Sequence, residues 1–138
     1  MDTPQEYFDI CIVSPEKNVL TAKAKQALVP CADGYMGVLP GHAPIIATLQ
    51  KMALLSVYEE TLDSPSRRFV VSSGFVEILP YRTTVLADRA TDLNGVTPES
   101  LEKDVAALEK KTDAPDATQE ILYLRALQDV IRAEKLAA

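Results

Sequence analysis

The chain has 138 residues, 47% hydrophobic and 25% charged, enough to bury one core of ordinary size with a small appendage. Its formal charge of −6 is spread evenly, with 8 basic and 11 acidic side chains in residues 1–96 and 6 and 9 in 97–138, so neither part offers the basic patch that nucleic acid or anionic lipid requires. No apolar run approaches the roughly 18 residues of a membrane span, and the acidic start Met1-Asp2-Thr3-Pro4 reads as neither signal nor transit peptide.

The first ninety residues read as short strands. Phe8, Ile10 and Ile12 alternate with Tyr7, Asp9 and Cys11, which predicts a strand over 7–13, closed by the turn Ser14-Pro15-Glu16-Lys17-Asn18. Further strands are expected at 19–22, 26–30, 35–39, 53–59, 68–72, 75–79 and 84–88, punctuated by Gly, Pro, Asp and Ser. Many short strands with regular turns predict a sandwich or barrel. The stretch Thr61 to Arg67, with Asp63-Ser64-Pro65, reads as the hairpin connection between two of them.

After Asn94-Gly95 the period becomes helical. Thr97, Pro98 and Glu99 supply an N-cap, a proline at the first helical position and an acid in the first turn, and Leu101, Val105 and Leu108 share a face. Lys110-Lys111 complements the macrodipole at the end of this helix, and Asp113-Ala114-Pro115 breaks it. Asp116 and Gln119 suggest a capping box for a second helix with the stripe Ile121, Leu124, Leu127 and Ile131. Two helices of about 15 and 20 residues, roughly 22 and 30 Å long, would form an antiparallel hairpin. The expected organisation is a β domain over 1–92 and a helical hairpin over 93–138.

The most specified stretch is Gly34-Tyr35-Met36-Gly37-Val38-Leu39-Pro40-Gly41-His42-Ala43-Pro44, which holds three of the five glycines and the only histidine. Gly34 and Gly37 would permit positive φ or close backbone approach, and Pro40 and Pro44 fix φ on either side of the Gly41-His42 corner, so an irregular loop is expected. A thiol nucleophile, base and acid can be written from Cys31, His42 and Asp33, but the spacing supplies neither an oxyanion site nor a cleft. One histidine and two separated cysteines have no metal-ligand spacing, and Gly34 to Gly37 lacks the Lys and Ser or Thr of a phosphate loop. Cys11 and Cys31, without a CxxC, read as buried reduced thiols.

The Gly34 to Pro44 stretch resembles the G-E-L-G-[IL]-x-P-G-H-A-P loop of the epsilon subunit of bacterial and chloroplast F-type ATP synthases, the counterpart of the mitochondrial delta subunit. Ser73-Gly74-Phe75-Val76-Glu77-Ile78 is similar to that family's S-G-G-x-L-E-V, and Thr84-Val85-Leu86-Ala87-Asp88 is a third match. Order and spacing agree across residues 7 to 90. The resemblance implies a flattened β-sandwich of about eight to ten strands followed by a two-helix hairpin that folds against it or extends. It implies a non-catalytic rotor-stalk subunit without a cofactor, peripheral on the cytoplasmic face of a bacterial membrane. That subunit binds the gamma shaft and the c-ring, and it touches alpha and beta transiently through the hairpin. It binds no nucleic acid and does not insert into lipid. The competing reading is a free-standing β-sandwich binding module with a regulatory tail.

Carried over by residue, the gamma contacts are Ser14 and His42. The c-ring contact is the loop Cys31, Ala32, Asp33, Gly34, Tyr35 and Met36, and Gly37, Pro40, Gly41, Pro44 and Gly74 shape the architecture. The chain departs from the family where Tyr35 and Met36 replace glutamate and leucine, exchanging ionic contact for apolar area. The family's nucleotide motif I-D-x-x-R-A aligns with Val96 to Leu101, and its later pair of arginines with Arg125 and Asp129. With Ser100 and Asp129 in place of cationic ligands, nucleotide binding is not expected.

Overall fold

Side-chain parity along two long strands organises the β region. The computed structural model describes residues 5–110 and 115–137, without the side chains of 115, 116 and 134–137. The chain divides into two compact units, Met1–Asp92 and Leu93–Ala138. In the first, the strands are β1 (Phe8–Val13), β2 (Asn18–Ala24), β3 (Gln26–Cys31), β4 (Gly34–Val38), β5 (Ile45–Thr48), β6 (Ala53–Tyr58), β7 (Arg67–Leu79) and β8 (Arg82–Asp92). They form one hydrogen-bonded path in the order β2-β1-β8-β7-β6-β3-β4, with β5 added to β7; every pairing is antiparallel except β1 with β8.

β7 pairs with β6 through Arg67 to Val71 and with β5 through Phe75 to Ile78, while β8 follows it along its length. The two strands therefore belong to both layers, and the sheet folds over on itself. One core cluster joins Phe8, Ile10 and Ile12 of β1 and Val76 and Ile78 of β7 to Val29, Leu55, Val57 and Phe69 from the other layer. The eight strands make the expected sandwich.

The two strands expected at 68–72 and 75–79 are one. Inward residues are odd before the break, Phe69 and Val71, and even after it, Val76 and Ile78. Two positive φ values at the junction, 44° at Ser73 and 129° at Gly74, reverse the parity without ending the ladder. A Cβ on Gly74 would overlap the Leu86 carbonyl oxygen, so only glycine lets β8 pass. Inside β8, Thr83 is fully buried and its hydroxyl has no hydrogen-bond partner among the described residues.

β5 was not expected. It follows Pro44, its Ile45 and Ile46 are exposed, and nothing in its four residues alternates; its pairing with β7 makes it a strand. Gly37 corrects another expectation. It lies in β4 opposite Leu28, inside the strand expected at 35–39, but it is not among the positive-φ glycines, and a Cβ there would meet nothing nearer than 3.8 Å. The segment from Thr61 to Ser66 is an exposed connection between β6 and β7, flanked by a 2.6 Å Arg67–Glu59 ion pair.

In the second unit α1 (Pro98–Glu109) has 12 residues and α2 (Pro115–Ala137) has 23, rather than about 15 and 20. The start of α1 is doubly capped, because Ser100 N donates to Thr97 Oγ1 and Thr97 N donates to Ser100 Oγ, both at 3.0 Å. Lys110 is its C-cap; Lys111 and Asp113-Ala114 lie outside the described residues. α2 begins at Pro115, so Asp116 falls within its first turn instead of capping it. Leu101 and Val105 of α1 and Leu124, Leu127 and Ile131 of α2 are buried as the stripes predicted, with Leu108 and Ile121 half-buried.

Candidate functional site

Ser14 ends β1 in a tight turn. Its N–H donates to Lys17 O at 2.9 Å, Lys17 N donates back to Ser14 O at 3.2 Å, and Ser14 Oγ donates to the same Lys17 carbonyl at 3.3 Å. With Val13, Pro15, Gly74, Phe75, Leu86 and Asp88 it borders a shallow surface depression of about 240 Å³. His42 stands in the corner after Pro40. Gly41, at φ 87°, donates its N–H to Pro80 O at 2.7 Å, and His42 N donates to Leu39 O at 3.1 Å. His42 Nδ1 lies 2.7 Å from Ala43 O; a carbonyl only accepts, so Nδ1 is the donor.

The two residues are not neighbours. Register puts Thr48, Phe75, Leu86 and Val13 side by side on β5, β7, β8 and β1, a row about 15 Å wide at the usual strand spacing. Ser14 follows the last member of this row. His42 belongs to the opposite edge, where its loop is tied to Pro80, five residues along the chain from Phe75 and roughly 17 Å away in extended backbone.

The outer surface between them carries large apolar side chains, with Ile46 69%, Phe75 48% and Leu86 37% exposed, and register sets Glu77 and Thr84 beside Ile46. None of the three apolar residues was a sequence candidate. The signal was present, since Phe75 and Leu86 are out of phase with the buried Val76, Val85 and Ala87.

The Cys31 to Met36 segment is mostly strand. Only Ala32 and Asp33 form the turn of a hairpin in which Cys31 pairs with Gly34, Pro30 with Tyr35 and Val29 with Met36. Gly34 takes φ 132°. Together with Ile45 to Thr48 this hairpin borders an open groove of about 560 Å³, in which Asp33 is the one charged lining residue. Ala32 N donates to Thr48 O at 2.8 Å and closes one end of the groove.

Tyr35 is 56% exposed, yet its hydroxyl donates to Leu54 O at 2.8 Å. The β3–β6 ladder runs only from Gln26 to Leu28, and the next residue due to face Leu54 is Pro30, which has no N–H. The phenol opposite Pro30 on β4 satisfies that carbonyl instead.

Cys31 and Cys11 are free thiols, the first buried and the second half-buried. Burial, and then the Asp33 carboxylate, push the Cys31 thiol above its ordinary range. A nucleophile needs the opposite shift. Among the described residues no group of three His, Cys, Asp or Glu side chains is arranged to hold a metal, and no helix is long and apolar enough to cross a membrane. The described residues thus present exposed strands bearing Ile46, Phe75 and Leu86, a histidine corner and an aromatic hairpin.

Residues 7–92 match the family model described as ATP synthase, Delta/Epsilon chain, beta-sandwich domain. The ATP synthase epsilon chain of Rhodospirillum centenum is 42% identical over 115 residues, covering 80% of this chain and 75% of that one. The chain belongs to the ATP synthase delta/epsilon family. The epsilon chain of Granulibacter bethesdensis, 37% identical over 126 residues, covers 91% of this chain and 88% of that one, so the likeness extends into the helical unit. In fold, the chain is similar to a chain of the Euglena gracilis mitochondrial ATP synthase assembly of OSCP, F1 and c-ring, with TM-score 0.66 at 17% identity over 97% of this chain and 90% of that one. It is also similar to a chain of the Tetrahymena thermophila central stalk and c-ring, with TM-score 0.55 at 10% identity over 96% and 98%.

Proposed function

We propose that this epsilon-family chain works as a non-catalytic rotor subunit, in which residues 1–92 join the gamma shaft to the c-ring and residues 93–138 regulate. The observation that carries this reading is the exposed Ile46, Phe75 and Leu86 surface between Ser14 and His42. Burying one large apolar side chain contributes about 1.5–3 kcal/mol, and strand-mounted groups lose little freedom on docking. Gamma is the partner for this face, with Ser14 and His42 at its two ends. The c-ring is the partner for the hairpin carrying Cys31, Ala32, Asp33, Gly34, Tyr35 and Met36.

In this role the subunit transmits torque between proton flow through the membrane sector and ATP formation in the head. It performs no chemistry of its own. It sits peripherally on the cytoplasmic face of the bacterial plasma membrane without entering lipid, and its hairpin touches alpha and beta transiently. A pull-down of the tagged chain tests the reading: gamma should be recovered and, through it, alpha and beta. Phe75→Asp should lower gamma recovery at least tenfold while circular dichroism stays unchanged. An unrelated partner set, or undiminished gamma recovery by the variant, would sink it.

A further inference from the structure

Gln128 breaks the pattern of the helical unit. It stands four residues after Leu124 and three before Ile131, on the face of α2 that carries the apolar stripe, and is only 2% exposed. Its Nε2 donates to Pro98 O and to Glu102 Oε2, each at 3.1 Å. A carboxamide has two N–H donors, and both partners lie in the first turns of α1. Towards the other end of α1, Glu109 accepts from Arg125 at 3.1 Å, but that pair is half-exposed and screened. The amide is therefore a buried, directional contact between the two helices.

We infer that Gln128 is a register latch, a device that makes the helical hairpin pair in one alignment or not at all. Contacts among Leu101, Val105, Leu124, Leu127 and Ile131 are non-directional and would be nearly as good after a slip of one helix past the other. A slip of one turn that kept the helices together would strand the Gln128 amide in an apolar seam without acceptors, the costly outcome for a polar group. Full separation returns the amide to water and carries no such penalty. The latch thus disfavours slipped pairings more than it disfavours opening, as a polar residue at a core position of a coiled coil does. A hairpin built this way opens and closes as a unit. The inference concerns the second unit alone and does not rest on the rotor reading.

Amide hydrogen exchange and two-dimensional NMR on the full-length chain test it. The wild type should give one set of resonances for α1 and α2. Gln128→Leu should keep the helices paired, with protected amides, but should split or broaden the signals of residues 98–105 and 124–131 while leaving β1 to β8 unchanged. Gln128→Glu should set a second carboxylate against Glu102 and raise exchange across 101–105 at least tenfold at neutral pH. Glu102→Gln, which keeps an acceptor oxygen, should behave as wild type. In a double-substitution cycle, Gln128→Ala and Glu102→Ala should be coupled by at least threefold in the exchange of this segment. A single sharp set of helical resonances in Gln128→Leu, or purely multiplicative effects in the cycle, would overturn the latch.

Discussion

Gly74 and Gly37 look alike in the sequence and are opposite in the fold. Gly74 carries φ 129° beside the Leu86 carbonyl, whereas Gly37 sits in ordinary strand geometry, where a Cβ would meet Gln26 and Leu28 at an ordinary contact distance of 3.8 Å. Gly74→Ala should cost roughly 2–4 kcal/mol, combining forbidden φ with a backbone clash. Gly37→Ala should be neutral or stabilise by up to about 1 kcal/mol by restricting the unfolded chain. Urea denaturation of both variants reads the contrast directly. Cys31 supplies a pH dependence. Its thiol is raised by burial and by Asp33, so the folded state favours the neutral form more than the unfolded state does. The resulting stability is fully present below the ordinary thiol value of 9.0 and is lost as pH rises through the higher folded value. The denaturation midpoint of the wild type should therefore fall more steeply as pH rises above 9.0 than that of Cys31→Ala. At neutral pH a thiol reagent should modify half-buried Cys11 long before Cys31.

The β3–β4 hairpin and α2 each carry a feature that is testable as an element. The Tyr35 ring is pinned by the Leu54 carbonyl while still 56% exposed, so it offers a preorganised apolar surface, and Asp33 beside it is an exposed single charge. If the hairpin meets the c-ring as proposed, Tyr35→Ala should weaken the coupling of proton pumping to ATP hydrolysis more than Asp33→Ala does. A desolvated aromatic contributes more than an exposed ion pair. Equal or reversed losses in a proton-pumping assay would show that charge governs this junction. In α2, Arg125 is engaged with Glu109, Asp129 adds a negative charge one turn later, and Ser100 spends its side chain on the α1 cap. Nothing in this set attracts a triphosphate. Calorimetry of the chain with millimolar ATP should show no saturable heat, and a dissociation constant below about a millimolar, near −4 kcal/mol, would contradict this.

At the scale of the molecule, the β unit closes its own core. Every residue of the main hydrophobic cluster lies between Phe8 and Ala87, ahead of the division at Asp92. Stopping the chain after Asn94 should leave a folded sandwich whose proposed gamma and c-ring surfaces are intact, so assembly and ATP synthesis should persist. Residues 117–138 carry Arg125, Arg132 and Lys135 against Glu120, Asp129 and Glu134, a net charge of zero, which offers little electrostatic attraction to a charged partner surface. Hydrolysis by the truncated complex should change only a few-fold. Loss of assembly would make the hairpin structural, and a hundredfold release would reveal a strong brake.

Local chemistry was legible in the sequence wherever one residue decides a local conformation. Thr97 and Pro98 start α1, the turn after Val13 ends β1, and alternation marks the inward face of β1. The same short-range signals carried the family resemblance, because the Gly-Pro-His loop and the Ser73-Gly74 step are local necessities of this sandwich. Ile45–Thr48 became a strand only through β7, which lies about thirty residues further along the chain. The merging of 68–72 with 75–79 depended on the sign of φ at Ser73, which no hydrophobic pattern reports. Gln128 is set apart only by the two acceptors that α1 supplies to its amide. The exposed row of Thr48, Phe75, Leu86 and Val13 exists only because four strands fall into one register. Strand pairing and helix contact are long-range, and the tertiary structure alone decides which residues they bring to a common surface.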